Sequence, residues 1–221
     1  MDVDTVNTGV DTGRMTSAVK KRAQKISYHH GDLPRAMVGQ AVRTIQRQGI
    51  HALTLRGVAG KLGVSRTALY RHFADKDDLL RAVAAEGFHL LQTELSDAWK
   101  NEGESAEGFD AMGRAYIAFA VRHPSHYRVM FGGTFRTEKA KATEPEGSGD
   151  AFATLVQAIE SEQRAGRMRR DNSQELALYV WAVVHGVAML AIDGILKTQA
   201  ELENLTKLAI ARLSSGIGVA K

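Results

Sequence analysis

From about Asp32 onward, apolar side chains recur every three or four residues, and no stretch keeps the two-residue alternation of a half-buried strand. The pattern predicts an all-α chain. A first helix is expected over about Asp32–Gln48, with Leu33, Met37, Ala41, Val42 and Ile45 as its buried stripe. Asp32 caps it, Pro34 sits in the first turn where a missing N–H costs little, and Gly49 ends it. Thr54 caps a second helix to about Lys61, with Val58, Ala59 and Leu62 inward, and Gly63 supplies a sharp turn. Ser65 caps a third helix to about His72, anchored by Leu69 and Phe73. Asp75 caps a fourth, to about Lys100, in which Leu79, Leu80, Val83, Phe88, Leu91 and Leu95 keep the period.

The polar break NEGESAEG, Asn101 to Gly108, separates this from a helix over Phe109–Arg122, which Pro124 stops, and a short one over Ser125–Phe131. Arg136 to Gly149 is charged, Gly-rich and holds Pro145, so a connector is expected there. Helices near Asp150–Ala165, Ser173–Lys197 (capped by Asn172) and Ala200–Leu213 complete the chain. The organisation that follows is a tail over 1–27, a small helical domain over 28–83 and a larger bundle over 84–221.

Two short capped helices joined through Leu62-Gly63-Val64 have the size and turn of a helix-turn-helix. Packing of Val58, Ala59, Val64, Leu69 and Phe73 leaves the polar side of the third helix outward, a shape that fits a DNA major groove. Arg66, Thr67, Ala68 and Arg71 are the candidates for base edges. Tyr70 and His72, with Thr54, Ser65 and Lys76 at helix starts, are the candidates for phosphate oxygens. The bland alternative is a solvated face with Tyr70 and His72 as packing residues.

Charge sharpens the picture. Up to residue 80 the chain has thirteen Lys/Arg against seven Asp/Glu, and between Thr12 and Lys76 only Asp32 and Asp75 are acidic. The front therefore carries a net +6 and the remainder −2, and a basic front on a near-neutral body suits a polyanion partner. Lys20, Lys21, Arg22 and Lys25 end the tail and are candidates for a flanking minor groove.

The run YHHGDLPRAMVGQAVRTIQRQGIHALTLRGVAGKLGVSRTALYRHFADKDDLLRAV, residues 28 to 83, resembles the N-terminal domain of the tetracycline-repressor (TetR) family. The Thr54 cap, the Leu-Gly-Val turn, the Leu69-Tyr70-His72-Phe73 signature and the Lys76 start of the fourth helix coincide in order and spacing. The leading Tyr-His-His-Gly-Asp-Leu, YVWAVVHGVAM with Trp181, His185 and Gly186, and YIAFAVRHPSHYRVMFGG are similar to the branch whose C-terminal domain is named for a Trp-His-Gly motif. The resemblance implies a homodimeric repressor, in the cytoplasm at the nucleoid, whose C-terminal domain binds a small molecule and thereby loosens double-stranded DNA.

The bundle is expected to pair two chains through its last two helices, using the apolar face of Ser173–Lys197 and the stripe Leu202, Leu205, Leu208, Ala209 and Leu213. Its interior offers candidates for a mostly apolar effector: Met112, Tyr116, Phe119, His123, Tyr127, Met130, Phe131, Phe152, Trp181, His185 and Met189. Simple core packing is the competing reading of each. Other classes find little support. Cysteine is absent, and no phosphate loop, His-Glu zinc helix or compact set of carboxylate, histidine and nucleophile occurs. No cofactor or metal is therefore expected, and an enzyme would need a bundle cavity of hidden chemistry. Ala177–Leu196 is apolar for a bilayer-spanning length, but His185 and Asp193 interrupt it, so burial between helices is the expectation. Activator or architectural roles on DNA stay open.

Overall fold

The computed structural model describes residues 33–132 and 145–218, and among these there is no strand. The expected Asp32 cap, the basic residues Lys20, Lys21, Arg22 and Lys25, and residues 136–144 of the expected connector lie outside the described residues. Helix α1 (Leu33–Gln48) buries Leu33, Met37, Val38, Ala41 and Ile45, and Gly49 ends it at φ +81°. A turn of 3-10 helix at Ile50–Ala52, unforeseen in the sequence, leads to α2 (Leu55–Leu62). Thr54 Oγ1 accepts from Gly57 N–H at 3.1 Å, and Gly63 turns the chain at φ +66°, where a Cβ would be strained. Ser65 Oγ accepts from Ala68 N–H at 3.1 Å and starts α3 (Arg66–Tyr70), which is shorter than expected. Leu53, Leu55, Val58, Ala59, Leu69 and Phe73 join α1 in one buried core.

Asp75 caps α4 (Lys76–Asn101) through Asp78 N–H at 2.8 Å. At 1.5 Å per residue this rod is about 39 Å long. Its first turns bury Leu79, Leu80, Val83 and Ala84 beside α1. The rest buries Gly87, Phe88, Leu91, Leu95 and Trp99 among α5 (Ala106–Arg122), α6 (Pro124–Phe131) and α7 (Asp150–Arg164). The break before α5 is tighter than expected, because Gly103 and Glu104 reverse the chain at positive φ and Ser105 caps α5 through Gly108 N–H. Helix α8 (Ser173–Ile192), capped by Asn172, stops five residues earlier than expected at a turn through Gly194 (φ +70°). Helix α9 (Gln199–Ile217) runs four residues past the expected end, started by a reciprocal Thr198–Glu201 capping box.

A buried carboxylate is held by an exposed guanidinium. The Glu162 side chain is 3% exposed, and Arg167 donates to both its oxygens at 2.8 and 2.5 Å while also donating to the Glu104 carbonyl at 3.2 Å. It pins the end of α7 to the α4–α5 turn. An antiparallel bridge, Met168 to Gly218, holds the end of α9 to the same corner.

Close approach of α4 to α6 depends on Gly87: a Cβ there would meet Met130 Sδ at 2.5 Å and His126 Cβ at 3.1 Å. Gly87→Val is expected to lower unfolding free energy by about 1–3 kcal/mol through overpacking. Urea melts that leave the midpoint unchanged would contradict this packing.

Candidate nucleic-acid interface and effector cavity

The caps and the Gly63 turn hold α3 with Leu69 buried and its other side open. Arg66, Thr67, Tyr70, Arg71 and His72 are exposed there, Tyr70 at 57%, and Ala68 is half-buried. Thr54 and Ser65 are exposed at the helix starts, each with its side-chain oxygen engaged as a cap. Lys76 differs from a free surface cation: its Nζ donates to the Ile50 carbonyl at 2.9 Å and closes the 3-10 turn onto α4. Arg56 and Lys61 of α2 add positive charge nearby, and both are exposed. An exposed aromatic lies beside clustered cations, with no acidic side chain on α2 or α3, and such a surface attracts polyanions.

In the bundle α4, α5, α6, α7, α8 and α9 line a partly open cavity of about 450 Å³, within the range of small-molecule sites. Six of the expected residues line it: Met112, Tyr116, Met130, Phe131, Phe152 and Trp181. Five do not. Phe119 is fully buried in the core, with the His123 ring packed on it at 5.0 Å, and Met189 is half-buried on α8. Tyr127 and His185 stand one layer behind the wall. The sequence reading missed Phe88, Leu91 and Leu95 of α4, Phe109 and Asp110 of α5, Val180 and Val184 of α8, and Leu213 of α9. Their helical period was visible, but a period cannot separate core from cavity wall. Among the described residues no group of His, Cys, Asp or Glu could hold a metal ion.

Comparison with known proteins agrees with this architecture. Residues 38–83 match the model for bacterial regulatory proteins of the tetR family, and residues 109–213 match the tetracyclin repressor-like C-terminal domain. The chain belongs to the tetracycline-repressor family. It is a DNA-binding transcriptional regulator.

A solved structure of a protein of unknown function from Rhodococcus sp. RHA1 is similar to this TetR-family chain at 30% identity, with a TM-score of 0.78 over 88% of this chain and 100% of that one. An uncharacterized HTH-type transcriptional regulator of Mycobacterium tuberculosis is 26% identical over 165 residues, 73% of this chain and 71% of that protein. The HTH-type transcriptional activator FasR of Mycolicibacterium smegmatis is 26% identical over 109 residues, about half of each chain (49% and 50%).

Behind the cavity wall of this TetR-family regulator lies a polar cluster. Trp181 Nε1–H donates to the Tyr116 hydroxyl at 2.8 Å, and His185 Nδ1 lies 3.0 Å from that hydroxyl and 2.7 Å from that of Tyr127. The two hydroxyls are 3.1 Å apart. Burial pushes the Tyr116 hydroxyl up to about 12 and raises Tyr127 as well, so both stay protonated. Burial lowers His185, which keeps the imidazole neutral with Nδ1 free to accept. A buried cluster satisfied in this way fixes α5, α6 and α8 to one another.

A pair of histidines, His123 and His126, lies near the α4–α6 contact. His126, 7% exposed, has Nε2 3.1 Å from Glu86 Oε2, and this hydrogen bond leads in holding the Glu86 carboxyl below its ordinary value. His123 Nε2 lies 3.7 Å from Glu94, and burial, outweighing that carboxylate, lowers His123.

A lowered histidine in the folded chain means that the unfolded chain takes up protons first. The stability contributed by neutral His185 is therefore complete above its unfolded value near 6.5 and is lost as pH falls towards the folded value. His185→Asn keeps an acceptor near Nδ1 and removes the titration. Thermal melts between about pH 7 and about pH 5 are expected to show a shallower loss of stability in this variant than in the parent. Parallel slopes would mean that His185 does not titrate differently on folding.

Proposed function

We propose that this regulator acts as a homodimeric repressor that presents two copies of α3 to a palindromic operator and releases it when an apolar small molecule occupies the cavity. The observation that carries the reading is the double duty of α4. Leu79, Leu80, Val83 and Ala84 of this helix belong to the core of the helix-turn-helix, while Phe88, Leu91 and Leu95 line the cavity. A ligand that displaces those three side chains acts on the rod that carries both recognition helices. A thousandfold loss of operator affinity requires about 4 kcal/mol of preference for the non-binding arrangement.

In this reading Arg66, Thr67, Ala68 and Arg71 meet base edges, and Thr54, Ser65, Tyr70, His72 and Lys76 meet phosphates. Lys76 keeps two N–H bonds beyond the one it gives Ile50, and its contact is uniform across sequences. Pairing runs through α8 and α9. One face of α8, formed by Ala177, Val180, Val184, Val187 and Ala188, is buried within the chain. Its other face leaves Leu178, Tyr179, Ala182, Gly186 and Leu190 exposed, beside the exposed Leu208 of α9. Helix α8 is long and apolar enough to cross a membrane by length and composition. An apolar exterior of this kind also suits a second protomer, since two rows of exposed leucines cost less free energy against each other than against water. Ala209 and Leu213, expected at the subunit contact, are instead buried inside the protomer, and Leu213 lines the cavity.

The likeness to FasR, an activator, favours one second reading: the same site acting positively on its promoter. A reporter fused to the operator decides the sign, since deletion of a repressor raises expression and deletion of an activator lowers it.

Selection of bound duplexes from a random pool is expected to return a palindrome. Recovery of no symmetric sequence in dilute buffer would refute the dimeric operator reading. On the selected duplex, Arg66→Ala and Thr67→Ala are expected to cost about 1–3 kcal/mol and relax preference at single positions, whereas Lys76→Ala weakens all duplexes alike and reduces the salt slope by about one. Equal behaviour of the two classes would mean that base and phosphate contacts are wrongly divided. Leu190→Asp is expected to shift the chain to monomer in sedimentation and to lower operator affinity with it. A dimer that survives this change would place the interface elsewhere.

A further inference from the structure

The cavity carries a specific charge character. Six of its lining residues are aromatic: Phe88, Phe109, Tyr116, Phe131, Phe152 and Trp181. Four of them form a continuous wall, with Phe88 edge-on to Phe131 at 5.6 Å, Phe131 against Trp181 at 5.9 Å and Trp181 against Phe152 at 6.0 Å. Ring faces carry negative electrostatic potential. Asp110 lines the same space, its carboxylate accepting from Ser214 Oγ–H at 2.5 Å. Among the described lining residues there is no Lys, Arg or His.

The indole and phenol donors of the wall are occupied. Trp181 Nε1–H is given to Tyr116, whose hydroxyl also lies within hydrogen-bonding distance of Tyr127 and His185. The start of α7 borders the cavity through Gly149, Ala151 and Phe152, and Asp150 in that first turn opposes the positive end of the helix dipole. A carboxylate ligand entering here would lose its hydration and face Asp110 and an aromatic wall, with no cationic side chain among the described lining residues. A cation would meet complementary potential from both.

We propose that the effector of this regulator is a lipophilic cation, an ammonium group on an apolar body, with Asp110 and the aromatic wall selecting the charge. This rests on the cavity being the effector site, as proposed above. Binding places the cationic group between Asp110 and the rings and the apolar body against Leu91, Leu95 and Leu155. Asp110 sets the charge preference, and the apolar lining sets general affinity.

Calorimetric titration of the full chain with decyltrimethylammonium, decanol and decanoate, each below its micellar concentration, separates the terms, because the three share one alkyl chain. The cation is expected to bind tightest and the acid weakest, roughly tenfold or more apart. Asp110→Asn keeps an acceptor for Ser214 and is expected to reduce affinity for the cation about tenfold while leaving decanol within about twofold. Tightest binding by decanoate, or a cation affinity unchanged in a folded Asp110→Asn protein, overturns the charge assignment while decanol binding preserves the cavity. The parent's ranking of the three probes needs no variant and tests the assignment if the substituted chain fails to fold. Absence of binding by all three overturns the cavity reading itself, and this inference with it.

Discussion

The burial of α4 in two cores at once is the constraint on which the rest of the structure depends. Its first turns close the small domain beside α1, and its later turns pack against α5, α6 and α7. Each fully buried leucine on it contributes about 1.5–3 kcal/mol, so neither half leaves its core cheaply. A helix held at both ends moves as a rod, and a change of its angle must repack one set of neighbours. The contact of α6 with both α1 and α4, closed over Gly87, adds a second direct link between bundle and small domain. Close-packed interiors favour discrete arrangements over gradual bending, which is the physical requirement for a regulator with two states.

The cavity exists because the surrounding helices are tied together behind it. Tyr116, Tyr127, Trp181 and His185 hold α5, α6 and α8 in place, and the Glu162–Arg167 pair holds the end of α7 to the α4–α5 turn. With the helices fixed in this way, side chains lining the space do not collapse to fill it. The expected group of eleven residues thereby divides into wall, supporting layer and core. Phe119, at 0% exposure, belongs to the last.

Electrostatics divides the molecule along the same line. Positive charge is concentrated in the first eighty residues and the bundle is slightly acidic, which gives the DNA-facing end its long-range attraction and leaves the other surfaces without it. That attraction supplies affinity for any duplex. Sequence preference requires contacts to base edges, which this general attraction does not supply.

The sequence by itself determined the helices and the helix-turn-helix, because the interactions that set them are local. Thr54, Ser65, Asp75 and Asn172 each accept from an amide two or three residues on, and Gly49 and Gly63 adopt φ values that other residues resist. Both are visible in a window of five residues. The early stop of α8, the 3-10 turn held by Lys76, the bridge from Met168 to Gly218 and the Arg167 contact to Glu104 join chain segments that local periodicity does not relate. The same holds for the cavity. Helical spacing shows that Phe88, Leu91, Phe119 and Trp181 lie inside, but whether a neighbour fills the space beside each depends on six helices at once. Only the tertiary structure decided that, since packing is a property of facing surfaces and not of any one of them.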